Sequence, residues 1–181
     1  MKIIQNIREK FAKSFLLNQQ QEMDRKQKQV NLDSARTLVL LYHLPDEDTY
    51  KVAESIVVRL SDMNLKVRVV CFTEMKIAPH YFIPKISQDI FTAKDLNWRY
   101  QPQKPFIKDF IETDYDILID LSLADHLPLL YCVGMSNAGL KVGRFQEDHQ
   151  PFYDLMIHTS ANETIDSFAE QVIHYLSRIN N

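Results

Sequence analysis

Four residues in this 181-residue chain carry side chains that could do chemistry in one place: His43, Asp120, Ser122 and Arg144. An imidazole exchanges protons near neutral pH. A carboxylate and a hydroxyl can orient or deprotonate a substrate, and a guanidinium grips anions through two parallel N–H groups. Each of the four ends or closely follows an apolar run of strand type. In open α/β sheets ligands collect at the carboxyl ends of the strands. Tyr42 and Asp46, Thr73 and Glu74, Asp125 and His126, and Gln146 and His149 fall in equivalent positions. The four are candidate ligand-binding residues, and no catalytic role is assigned to any of them.

Each candidate also has a plainer reading. Asp120 lies inside an apolar run, where an ionised carboxylate is costly unless paired. It is either a ligand-orienting acid or, the preferred reading, a group that caps the next helix or bonds Ser122. Arg144 binds an anion or forms an ion pair with Asp120 or Asp46. His126 falls in a first helical turn and is expected at the surface. The Trp98-Arg99-Tyr100 cluster is expected to pack a loop onto the core rather than stack on a ligand. Asp116 and Asp154 each follow a tyrosine at a strand start and are expected to shape turns at the opposite edge of the sheet.

Several chemistries lack their motifs. The three glycines, Gly134, Gly139 and Gly143, cannot build a G-x-G-x-x-G turn or a P-loop. The acidic stretch Asp46-Glu47-Asp48 follows the first strand and repels a pyrophosphate there. The serine-hydrolase elbow and H-E-x-x-H are missing, and the six histidines form no i, i+4 pair. Cys71 and Cys132 lie far apart in apolar runs and are expected as buried free thiols in a reducing compartment. No metal and no cofactor is expected.

The elements that must position these residues follow from hydrophobic periodicity. Thr37–Tyr42, Leu65–Phe72, Tyr115–Ser122, Leu140–Phe145 and Tyr153–His158 read as strands buried on both faces. Helices are expected after Asp48, near Pro105–Glu112, across Leu123–Gly134 and from Ile165 to Ile179, the last capped by Ser160-x-x-Glu163. Asn64 is expected to stop the first of these, and Ser136–Gly139 to end the third with a left-handed residue. Residues 73–103 show no clean period and are expected as an irregular excursion. Within it Ile90-Phe91 is a possible edge strand and Thr92-x-x-Asp95 a helix-start signature. Only seven residues separate the last two predicted strands, too few for a helical crossover. Alternation of strand and helix predicts a three-layer α/β sandwich, Rossmann-like or flavodoxin-like, with a mostly parallel sheet and an N-terminal helix.

Residues 1–36 form a basic amphipathic helical extension and residues 37–181 a single α/β domain. Ile3, Ile4, Ile7, Phe11 and Phe15 recur at helical spacing, followed by the polar run Gln19–Gln29. The extension carries a net +4 and the remainder −7. The preferred reading is a first helix that covers the sheet and continues into a solvated extension; such a helix also suits a protein partner or self-association, with peripheral membrane contact a lesser option. The whole chain carries only −3 and 45% hydrophobic residues, so nucleic-acid binding is not expected. Neither a signal-type h-region nor a membrane-length apolar run is present, and a cytoplasmic protein is expected.

Asp114–Ser122, Leu140–Arg144 and Phe152–Ile157 together resemble a small bacterial family classed as a domain of unknown function, over residues 35–180. That resemblance implies a fold and a domain extent, with no activity to transfer. Locally, Tyr115–Phe145 is similar to the N-terminal half of heptosyltransferases of lipopolysaccharide synthesis. Those enzymes need a second domain for the sugar nucleotide, so no catalytic residue is carried over. The expected function is a non-catalytic binding or protein-interaction module. The alternative is a small enzyme or ligand-binding protein, glycosyltransferase-like, using the cleft at the strand ends.

Overall fold

The computed structural model describes residues 2–179. Six strands make one sheet: β1 (Thr37–His43), β2 (Lys66–Thr73), β3 (Gln88–Thr92), β4 (Ile117–Asp120), β5 (Leu140–Arg144) and β6 (Leu155–Ile157). Their order is β3-β2-β1-β4-β5-β6, and every neighbouring pair is parallel. This is the Rossmann-like member of the two expected arrangements. The helices are α1 (Lys2–Gln21), α2 (Glu47–Asp62), α3 (Pro105–Glu112), α4 (Leu127–Met135) and α5 (Ile165–Leu176).

Burial on both faces explains why the strands read as continuous apolar runs. Leu38, Leu40, Cys71, Ile117 and Ile119 turn to one side and meet the buried faces of α2 and α5. Val39, Leu41, Val70, Phe72 and Leu118 turn to the other and meet α3, α4 and Leu16 of α1. Asp46 caps α2 by accepting from the Thr49 N–H at 2.8 Å. Asn64 follows that helix with φ 62°, the left-handed conformation that asparagine tolerates.

Several local expectations change. Helix α5 is capped by Thr164, whose side chain accepts from the Ser167 N–H, while Ser160 and Glu163 close a turn before it. Among the described residues none after α4 is left-handed. Gly139 is needed there because a Cβ would fall 2.7 Å from the Lys28 side chain. Strands β5 and β6 are shorter than predicted, so residues 145–154 have room for a 3-10 helix (Glu147–Phe152) as a parallel crossover. In the irregular excursion Gln88–Thr92 is the edge strand, and Thr92 and Asp95 form a capping box on one 3-10 turn.

The opening segment differs most. Helix α1 stops at Gln21, and residues 22–36 run back as a non-helical strap whose Val30, Leu32 and Ala35 enter the core. The buried stripe of α1 is Ala12 and Leu16; Ile4, Ile7 and Phe11 are exposed. Ile3 lies outside the residues whose side chains are described. Asp116 and Asp154 do not merely shape turns. Asp116 accepts from the Arg36 and Thr37 N–H groups at 2.9 and 3.1 Å and pairs with Lys28. Asp154 takes Arg25 through two hydrogen bonds and accepts from Gln27. Together they fasten the strap across the amino ends of the strands.

Candidate functional site

The strand order reverses between β1 and β4, and at such a switch point the loops that follow part and leave a crevice. Asp120 ends β4 at this point and is 6% exposed. Its carboxylate accepts from the Ser122 N–H at 2.9 Å and from the Tyr153 hydroxyl at 2.7 Å. Burial pushes its pKa up, while the bonds from Ser122 and Tyr153 and the Arg144 charge pull the other way. Tyr153 reaches it only because residue 143 is glycine: a Cβ there would sit 2.4 Å from the tyrosine ring. The preferred reading of Asp120, a bond to Ser122, holds for the backbone N–H, and Tyr153 is the partner the sequence did not reveal.

Arg144 pairs with neither Asp120 nor Asp46. Its guanidinium binds Asp125 at 2.9 Å and the Gln146 side-chain oxygen at 2.7 Å, and Gln146 in turn donates to Asp125. Asp120, Ser122, Asp125, Arg144, His149 and Tyr153 surround a space of about 20 Å³, which holds one water molecule and nothing larger. Ser122 Oγ and His149 Nε2 are buried there without a protein partner. Three of the four candidate residues therefore converge, around a space too small for a ligand.

His43 does not line that space; with Ser122 and His126 it lines a neighbouring hollow of about 300 Å³, on the far side of His126. The two imidazoles stack with centroids 3.9 Å apart and planes inclined by 26°. Glu74 Oε1, just beyond β2, is 3.8 Å from His126 Nδ1. One donor atom from each of His43, Glu74 and His126 lies within 4.8 Å of the others. Burial lowers the pKa of both rings; for His126 the neighbouring His43 adds to this and takes it to about 4. The expected surface position of His126 is thus corrected: its side chain is 11% exposed. Chain spacing could not reveal this pair. Its one signal was that both residues follow strand ends.

The open space is a cleft of about 470 Å³ beside the histidine pair. Its walls include Lys13 of α1, Glu74, Tyr100, His126, Leu127 and His149. The Trp98–Tyr100 loop holds α1 over it. The Arg8 guanidinium lies 4.0 Å from the centre of the Tyr100 ring and donates to the Trp98 carbonyl. Arg99 lies 4.1 Å from the Phe15 ring, and Trp98 stacks on Phe11 at 5.5 Å. This aromatic cluster packs chain on chain, as expected, although the element it secures is a helix rather than the sheet core. Cys71 and Cys132 are buried free thiols. Among the described residues no helix is long and apolar enough to cross a membrane.

A family model described as a family of unknown function, DUF6913, matches residues 8–179. The match begins inside α1, so it covers that helix from residue 8 onward, the strap and the sheet. No curated protein matches the chain. Among solved structures, E. coli heptosyltransferase WaaC with ADP is similar at 12% identity and a TM-score of 0.49, over 78% of this chain and 48% of that one. The same enzyme with ADP-2-deoxy-2-fluoro heptose is similar at 12% identity and a TM-score of 0.43, over 76% and 48%. The chain spans about half the length of these structures.

Proposed function

We propose that this chain, which belongs to the DUF6913 family of unknown function, is a non-catalytic binding module whose ligand occupies the cleft between α1 and the strand ends. One observation carries the reading. At the switch point Asp120 is held by Ser122 and Tyr153, and Arg144 by Asp125 and Gln146, around a water-sized space, while the adjoining 470 Å³ is of the size that small ligands take. Glu9, Glu74 and Asp125 outnumber Lys13 along the cleft, and Leu96, Leu127 and Tyr100 give it an apolar side. That lining suits a ligand with a flat apolar flank and amine or hydroxyl groups, and opposes a phosphate.

Thermal melts with adenosine, glucosamine and spermidine as probes test the reading. A binding probe raises the melting temperature by mass action. Leu127→Trp, which fills the cleft, should abolish the rise, while Asp120→Asn, at a residue outside the cleft walls, should leave it. The opposite pattern would move the site to His43, Asp120, Ser122 and Arg144, as in the enzyme or ligand-binding alternative.

A second reading rests on α1. Ile4, Ile7 and Phe11, spaced three and four apart, stand 74%, 64% and 51% exposed on one side of a helix whose segment carries +4 against a body of −7. We propose a second copy of this chain as their occupant. Sedimentation over a range of concentrations should show a dimer that Ile4→Glu with Ile7→Glu abolishes. A wild-type monomer throughout would end this reading.

A further inference from the structure

We infer that His43, Glu74 and His126 form a binding site for a divalent transition-metal ion of the zinc class. The inference goes beyond the proposed cleft ligand and does not depend on it.

The three side chains come from three separate parts of the chain and meet at the ends of adjacent strands. His43 is the last residue of β1, Glu74 follows the last residue of β2, and His126 precedes α4 in the loop after β4. The sheet order sets β2, β1 and β4 side by side, so their ends share one edge. Phe72 flanks both imidazoles, its ring centre 6.0 Å from each. No side-chain hydrogen bond holds either imidazole among the described residues, and His43 Nε2 is buried with no partner. A buried nitrogen left unpaired is costly, and a metal ion is a partner that would satisfy it. Asp46 and Asp125, beside Glu74, add negative charge around the pair.

Two nitrogens and one carboxylate oxygen select among metals. Calcium and magnesium take oxygen donors, whereas imidazole with a carboxylate suits zinc, cobalt, nickel or copper. In a tetrahedral zinc site neighbouring donors lie ~3.3 Å apart, as follows from zinc–nitrogen distances of ~2.0–2.1 Å. The donors here lie within 4.8 Å of one another. Closing the site takes a splaying of the two imidazoles, now stacked 3.9 Å apart, so that one nitrogen of each faces the ion, together with a swing of the 72% exposed Glu74 side chain onto it. Three protein donors leave one position open, the arrangement of zinc sites that accept a further ligand rather than of purely structural ones. Glu74 and His126 also line the cleft, so the ion would border it.

The test uses the full chain, stripped with a chelator and titrated with Zn²⁺ by calorimetry and with Co²⁺ by visible absorption. One equivalent should bind, with d–d bands from bound Co²⁺. His43→Ala and Glu74→Gln should each weaken binding by roughly tenfold or more. Glu74→Gln is the safeguard against misfolding, because that side chain is exposed. His80→Ala, at an exposed histidine away from the cluster, should bind as the unaltered chain does. Absence of uptake by the stripped full chain, or full uptake by both His43→Ala and Glu74→Gln, would overturn the site. The two proposals fail separately. His43 is not among the cleft walls, so His43→Ala removes the metal and spares the probe response, and Leu127→Trp does the reverse.

Discussion

Asp120 is buried and held by two donors, one from its own loop and one from the residues leading into β6. Tyr153→Phe leaves one carboxylate oxygen without its 2.7 Å bond. The expected loss is about 1–3 kcal/mol in urea melts. In an Asp120→Asn background the same substitution should cost less, because no buried charge is then stranded. Lys141 is the other buried charge. It is 0% exposed in β5, with its ammonium 3.3 Å from the Gly134 carbonyl. Burial first, and repulsion from Arg25 second, lower its pKa to about 7, against the pull of Asp154. An unfolded lysine keeps its proton to a pH of about 10.4. Between these values the unfolded chain binds the extra proton, so stability rises with pH; below about 7 both states are protonated and this group adds no slope. Lys141→Met should therefore stabilise the protein by about 2–4 kcal/mol at pH 7. The gain should shrink in melts at pH 9.5.

At the scale of elements, α1 and the strap behave differently. A twenty-residue helix is ~30 Å long and the nine-residue α4 beneath it only ~14 Å. Helix α1 therefore overhangs its support, and its middle turns rest on the Trp98–Tyr100 loop through Arg8, Phe11 and Phe15 rather than on the sheet. This is why the apolar periodicity of Ile4, Ile7 and Phe11 marked a helix correctly and its buried face wrongly. The strap has no period, and its polar composition hid the anchoring role of its charged residues. Arg25 is 13% exposed and Asp154 12% exposed at their contact. Asp154→Ala should cost about 1–3 kcal/mol. Hydrogen exchange should speed up across residues 22–30 and stay slow in β1 and β4.

For the molecule as a whole, most apolar burial lies between the sheet and α2–α5, while α1 adds Ala12, Leu16 and a partly buried Leu17. Segments with few buried contacts open first. Trp98, the single tryptophan, stacks on Phe11 of α1. Its fluorescence should therefore change at lower urea than the far-ultraviolet circular dichroism of the sheet and remaining helices. Coincident transitions would mean that α1 unfolds with the body.

The sequence by itself determined the α/β class, five of the six strands to within a few residues, the two buried thiols, and the family to which the chain belongs. These are legible because burial imposes a period within a short window, and a parallel sheet leaves its apolar runs unbroken. The tertiary structure alone decided that β1 lies between β2 and β4, that Arg144 meets Asp125, that Tyr153 reaches Asp120 past Gly143, and that His43 stacks on His126. Those contacts depend on crossovers that join distant segments, and the order in which strands join is set by the packing of whole helices. No local spacing of residues encodes it.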